Sequence, residues 1–209
     1  MSFCKAFNQT KELLETIKSG GLYTMPNYIS LHTPLVQDEI EKLKAGDWVL
    51  LSGAIYTGRD AAHKRLSLLL KEGKPLPFDV SGQMIYYVGP TPAKPGSALG
   101  SAGPTTSARM DIYTPALLAK GLKGMIGKGN RGGIVIEAMR KYKAVYFAAI
   151  GGLGALMSEK IRTAEIVAYP DLGTEAIRKL EIVAFPLIVA IDCAGNNLYE
   201  TEPMKFQRV

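Results

Sequence analysis

Three short stretches of this 209-residue chain set cations beside hydroxyls or glycines, a combination suited to binding anions. The richest is Gly103-Pro-Thr-Thr-Ser-Ala-Arg-Met-Asp111, which closes a Pro/Gly/Ser-rich loop and is expected to open a helix. Thr105 and Thr106 supply hydroxyls there, and a helix start supplies unpaired N–H groups in a dipole that favours negative charge. Arg109 adds a planar fork that matches a carboxylate better than an ammonium does. The second stretch is Thr57-Gly-Arg-Asp-Ala-Ala-His63. Arg59 and His63 are four residues apart and share a helix face, Gly58 permits a sharp turn, and Asp60 sits in the first turn. His63 has two readings, a general base or a structural core residue. The third is Gly127-Lys-Gly-Asn-Arg-Gly132, whose glycines bring backbone close to a ligand while Lys128 adds a point charge and Asn130 an amide.

Taken singly, each stretch also reads as a solvated helix start or a plain glycine turn. Together they offer more. A dicarboxylate needs two cationic clamps, and Arg59, Arg109 and Lys128 make three beside a pair of threonines. A dinucleotide site is disfavoured, because the literal G-x-G-x-x-G match lacks the acidic residue required about 20 residues on. That region reads Phe147-Ala-Ala-Ile-Gly-Gly-Leu153. A Walker loop is disfavoured as well, since Leu122 occupies the first glycine position and Gly129 the Ser/Thr position. No His/Cys/Asp/Glu cluster has metal-ligand spacing, and no G-x-S-x-G elbow occurs. Cys4 and Cys193 are the only cysteines, too few for a disulfide framework or an all-cysteine metal site. The electrophile of a reaction is therefore missing from this chain.

The net charge of +6 comes from 25 scattered Lys and Arg against 19 acids, which argues for a small anion or acidic partner over nucleic acid. No apolar run nears the roughly 20 residues of a membrane span. The N-terminus lacks an apolar h-region, so a cytoplasmic location is expected.

The elements that must carry these residues follow from periodicity and breakers. Lys11–Lys18 reads as a peripheral helix ended by Gly20-Gly21, and Gln37–Lys44 as a second short helix stopped by Gly46. Trp48–Tyr56 reads as a strand, Arg59–Lys71 as a helix, Met84–Val88 as a strand and Gly89–Gly103 as a loop. A helix from about Thr106 to Lys120, a strand at Gly124–Gly127, a helix over Gly133–Tyr142 and a buried strand over Ala144–Ile150 follow. Three further strands, Ala164–Ala168, Leu180–Phe185 and Leu187–Ile191, have little helix between them. The fold class is α/β, helices interleaved early and strands dominant late. Residues 1–32 are assigned to a peripheral segment, 33–200 to one domain and 201–209 to a tail.

The same motifs, with Gly53–Arg65 and Asp192-Cys-Ala-Gly-Asn-Asn-Leu198, occur in one order from about Thr33 to Glu200. In this the chain resembles the beta subunit, or C-terminal domain, of iron–sulfur-dependent class I fumarate hydratases and the related tartrate dehydratases. The resemblance implies a single swivelling β/β/α domain with a mixed sheet. It also implies a partner alpha subunit that holds a [4Fe–4S] cluster through its own cysteines, with alpha–beta pairs in a higher-order oligomer. By the same resemblance Arg59, Arg109 and Lys128 hold a dicarboxylate, Thr105 and Thr106 donate hydrogen bonds, and Thr105 with Arg59 serves the C–H proton. That last role requires Thr105 to be coupled through Arg59 to a carboxylate, assigned to the partner. Asp60, His63 and Asn130 are placed behind these groups. The implied reaction is reversible hydration of fumarate to (S)-malate. Its rivals are L(+)-tartrate dehydration and a non-catalytic anion-binding or assembly module.

Overall fold

The structure, a computed structural model, describes residues 27–93, 95–149 and 152–204; the expected Lys11–Lys18 helix and Cys4 lie outside them. Alternation along the strands separates two apolar surfaces. In β3 (Met84–Tyr86) and its extension, Met84, Tyr86 and Val88 face one cluster while Ile85 and Tyr87 face the other. In β5 (Val145–Ala148), Val145 and Phe147 join the first cluster and Tyr146 the second.

Hydrogen-bonded pairing explains both surfaces. Strands β1 (Tyr28–His32), β2 (Trp48–Thr57), β3, β4 (Gly124–Gly127) and β5 run parallel in that order. Strand β7 (Ile177–Ile191) is antiparallel to β5 and to β2, and β6 (Ile161–Ala168) pairs antiparallel with β7. The β2–β7 pairing closes β2, β3, β4, β5 and β7 into a ring. The first cluster fills the ring with Val49, Leu51, Ile55, Phe185, Leu187 and Val189 among others. The second lies under helices α2 (Asp60–Lys71), α3 (Thr114–Ala119) and α4 (Gly133–Tyr142), which contribute Ala62, Leu66, Leu117, Val135 and Met139. Short helices α1 (Gln37–Lys42), α5 (Gly154–Glu159) and α6 (Leu198–Met204) complete the described residues. The α/β expectation with a mixed sheet is met.

Several boundaries differ for physical reasons. The two late strands are one 15-residue strand that passes through Pro186. It bends where Ala184 takes φ 49° and the register slips opposite Gly53, which takes φ 103°. The Ala184 N–H donates to the Ser52 hydroxyl (3.0 Å) instead of to the ladder, as a bulge that tightens a ring requires. The helix expected over Thr106–Lys120 is instead a 3-10 turn at Ser107–Met110 and then α3, whose early Pro115 lacks the N–H that would join the two. Tyr28–His32, grouped with the peripheral segment, adds a parallel edge strand to β2. Helices α5 and α6 have too little apolar periodicity to be read from the sequence.

Parallel strands place all their C-terminal ends on one edge of the sheet. Here that edge receives Gly58-Arg59 after β2, the Thr105 loop beside β3 and Lys128 after β4. It is the edge at which α/β sheets bind ligands.

Candidate active site

The loop bearing the threonines is held to the sheet by its backbone. Thr105 N donates to Tyr87 O (2.8 Å), Lys128 N to Thr105 O (3.2 Å) and Ser107 N to Lys128 O (3.0 Å). The first and third anion motifs are thus laced together. The lacing also corrects an expectation: Thr105 and Ser107 do not offer free N–H groups to an anion, and the one-turn helix that follows has Thr106 as a cap without a side-chain cap bond. The N–H groups of Thr106 and Ala108 take no part in that lacing, and two side chains are open to a ligand beside them. The Thr106 hydroxyl and the Lys128 ammonium are exposed and without a hydrogen bond or ion pair among the described residues.

Both arginines are held by carboxylates of this chain. Arg109 donates from Nε to Asp60 Oδ1 (3.0 Å) and from Nη2 to Thr105 Oγ1 (2.8 Å). Arg59 lies 3.6 Å from Glu175 Oε1 through Nη2, and its buried Nε has no partner among the described residues. The other Glu175 oxygen accepts from Ala61 N (2.8 Å) at the start of α2. Within this chain Thr105 is linked through Arg109 to the Asp60 carboxylate, while Arg59 is paired with Glu175; a carboxylate reaching Thr105 through Arg59 would have to come from a partner.

His63 stands behind Arg59. Its Nδ1 lies 2.9 Å from the Arg59 carbonyl, so this nitrogen carries the proton, and its ring meets Tyr87 edge-on at 5.3 Å. Burial is the main cause that pushes its pKa down to about 4, and the Arg131 charge adds to it, against opposing contributions from the Arg59 carbonyl and Asp60. The ring is neutral at pH 7 and packs against Gly58, where a Cβ would stand 3.1 Å from His63 Cε1. A side chain at position 58 would press on His63 and Ile85, which would have to give by a few tenths of an ångström; the φ of Gly58 is not positive. Because the unfolded histidine titrates near 6.5 and the folded one near 4, stability is full above 6.5 and is lost as pH falls through that interval. The loss expected by pH 4 is on the order of 3 kcal/mol. Urea unfolding of the wild type should show it between pH 7 and 4.5, and His63→Gln should flatten the curve.

Beneath the loops lies a buried arginine from the third motif. The Arg131 side chain is 0% exposed. Its Nε donates to Asp111 Oδ1 (2.7 Å) and its Nη2 to Thr114 Oγ1 (2.9 Å), while Nη1 lies 3.4 Å from the Tyr87 hydroxyl. The guanidinium carbon is 5.3 Å from the Tyr87 ring centroid and 5.1 Å from that of Tyr146. Asp111 Oδ2 accepts from Gly132 N (2.6 Å). The Tyr146 hydroxyl bridges Ser107 Oγ (2.8 Å) and the Gly129 carbonyl (2.9 Å). At Gly127 a Cβ would collide with Ser107 Oγ, which explains that glycine. Asn130, a candidate outer residue, accepts from Asn197 Nδ2 (2.9 Å) and from Arg131 N (2.8 Å), which joins the late Asn-Asn motif to the Lys128 loop.

The described residues do not fit a resident iron–sulfur cluster. Cys193 is buried with its thiol pushed up by that burial, and no group of three His, Cys, Asp or Glu among them could hold a metal ion. No helix of the described residues is long and apolar enough to cross a membrane.

Fold and site together define an α/β domain whose parallel strand ends carry three cations and two threonine hydroxyls on one edge. The chain belongs to the family described as "Fumarase C-terminus", whose model matches residues 6–202. It is similar to the "Putative L(+)-tartrate dehydratase subunit beta" of Methanocaldococcus jannaschii, with 40% identity over 172 residues, covering 79% of this chain and 88% of that one. It is also similar to "Fumarate hydratase class I, anaerobic" of Escherichia coli K12, with 41% identity over 152 residues, 72% of this chain and 28% of that one. "Fumarate hydratase 2" of Leishmania major is 33% identical over 192 residues, 90% of this chain and 34% of that one. The chain thus spans only 28% to 34% of the length of these two hydratases.

Proposed function

We propose that this chain is the beta subunit of a hydro-lyase that reversibly hydrates fumarate to (S)-malate, and that it supplies the dicarboxylate clamps. The observation that carries the reading is the edge itself: Arg109 donates to Thr105, the Lys128 backbone is laced to the same loop, and Arg59 follows the neighbouring strand end at the start of α2, whose Asp60 holds Arg109. In this reading the [4Fe–4S] cluster is held by a partner alpha subunit through its own cysteines. This chain alone is then inactive.

The chemistry left to this chain is positioning and charge. Arg59 and Arg109 already have counter-charges in Glu175 and Asp60, which fix the guanidiniums before a ligand arrives. Lys128 has none among the described residues, so an incoming carboxylate meets an uncompensated cation there. Holding both carboxylates converts a bimolecular addition into an oriented one and places fixed charge where negative charge develops. Thr105 Oγ1 accepts from the Arg109 guanidinium, which leaves its own O–H to donate and lowers the cost of its oxyanion form. That makes Thr105 the group of this chain best placed to exchange the C–H proton.

A second reading, L(+)-tartrate dehydratase beta subunit, is favoured by length, because the chain matches 88% of the archaeal subunit. The two separate on one assay. The chain co-purified with its alpha partner is expected to interconvert fumarate and (S)-malate. Turnover of L(+)-tartrate alone would establish the second reading. Turnover of neither, with iron and sulfide present in the complex, would leave the anion-binding module.

A further inference from the structure

Arg131 does not reach the exposed edge, and stability is a poor account of it. Burying a guanidinium is costly, and apolar residues of similar volume often replace a buried ion pair with no loss. What the arrangement does achieve is geometric. We propose that Arg131 is a positioning residue for the dicarboxylate site, locking the hydroxyl-bearing loop (104–111) to the Lys128 loop (127–132) and so fixing the separation of the Arg109 and Lys128 clamps. The proposal rests on the functional reading above.

The two ends of the lock lie on the two loops. Asp111 closes the first loop two residues after Arg109, and it uses one oxygen for Arg131 Nε and the other for Gly132 N. Arg131 lies three residues after Lys128 and fixes its own orientation through Thr114, which in turn donates to Met110 O (2.8 Å). The Tyr87 and Tyr146 rings, at 5.3 and 5.1 Å, hold the guanidinium plane from the extension of β3 and from β5. A planar fork is needed to meet a carboxylate, a hydroxyl and two rings at once; an ammonium can meet only part of that set. Above the lock run the two backbone bonds that lace the loops, Ser107 N to Lys128 O and Lys128 N to Thr105 O.

The test is Arg131→Lys in the full complex, with Thr114→Val as a milder second variant in case the first does not fold. Amide hydrogen exchange at Ser107 and Lys128 is expected to speed up at least about tenfold, with β2 and β7 unchanged, because the lacing opens locally. In the same protein KM for the dicarboxylate is expected to rise at least about tenfold and kcat to change less, since both clamps must be in register to hold the ligand. Faster exchange with an unchanged KM overturns the positioning role, and so does unchanged exchange at both amides in the variant that folds. A wild-type complex inactive on fumarate and on tartrate overturns the functional reading instead, and exchange then decides whether Arg131 couples the loops.

Discussion

Arg109→Ala is expected to lower fumarate hydration by the reconstituted complex at least about 100-fold, the loss typical of removing one preorganised donor to a developing negative charge. Two functions are lost together: a clamp for a carboxylate, and the cation that polarises Thr105. The stability of the protein should hardly change. The Arg109–Asp60 pair is close to half exposed on both sides, so its deletion costs only about 0–1 kcal/mol. A loss of activity with an unmoved melting temperature would therefore come from the site. Arg65→Ala is the control for losing an exposed arginine, because Arg65 pairs with Asp171 and donates no hydrogen bond to the threonine loop. If Arg109→Ala is as active as the wild type, the module reading replaces the catalytic one.

The largest stability effect is expected from Asp111→Ala. It would leave the Arg131 guanidinium buried without its counter-charge, and Gly132 N without its acceptor. Breaking a buried pair from one side typically costs about 3–5 kcal/mol. For a chain of this size that is a fall in melting temperature of about 10 °C. The double variant Asp111→Ala/Arg131→Met should recover part of the loss, since the stranded charge is removed with its partner. A double variant less stable than the single one would show that the pair is worth more than the burial it offsets.

Much of this was legible in the sequence, and the exceptions are instructive. Strands β2, β4 and β5 and helices α2 and α4 follow from apolar runs and the glycines that end them, so the edge bearing Arg59, Thr105 and Lys128 could be anticipated. The partners of the two arginines could not. Glu175 reaches Ala61 across 114 residues, and its turn carries neither an apolar period nor a motif. Arg131 and Asp111 were each inside a recognised motif, yet burial of an arginine depends on the tyrosines of two other strands, which local pattern does not report. The bonded N–H groups of Thr105 and Ser107 are hidden from the sequence for a related reason: a backbone donor looks free until the segment that accepts from it is known.

Closure of the ring by its last strand bears on how the chain is made. Strand β2 is made well before its partner, since Trp48–Tyr56 pairs with Lys179–Ile188, more than a hundred residues later. Contacts of such separation are slow to form. Until that late segment leaves the ribosome, β2 presents an open apolar border, and a truncated nascent chain has no way to seal it. The ring that backs the anion site is thus closed only once that later segment has been made, and until then the exposed border is open to the wrong contacts that chaperones guard against.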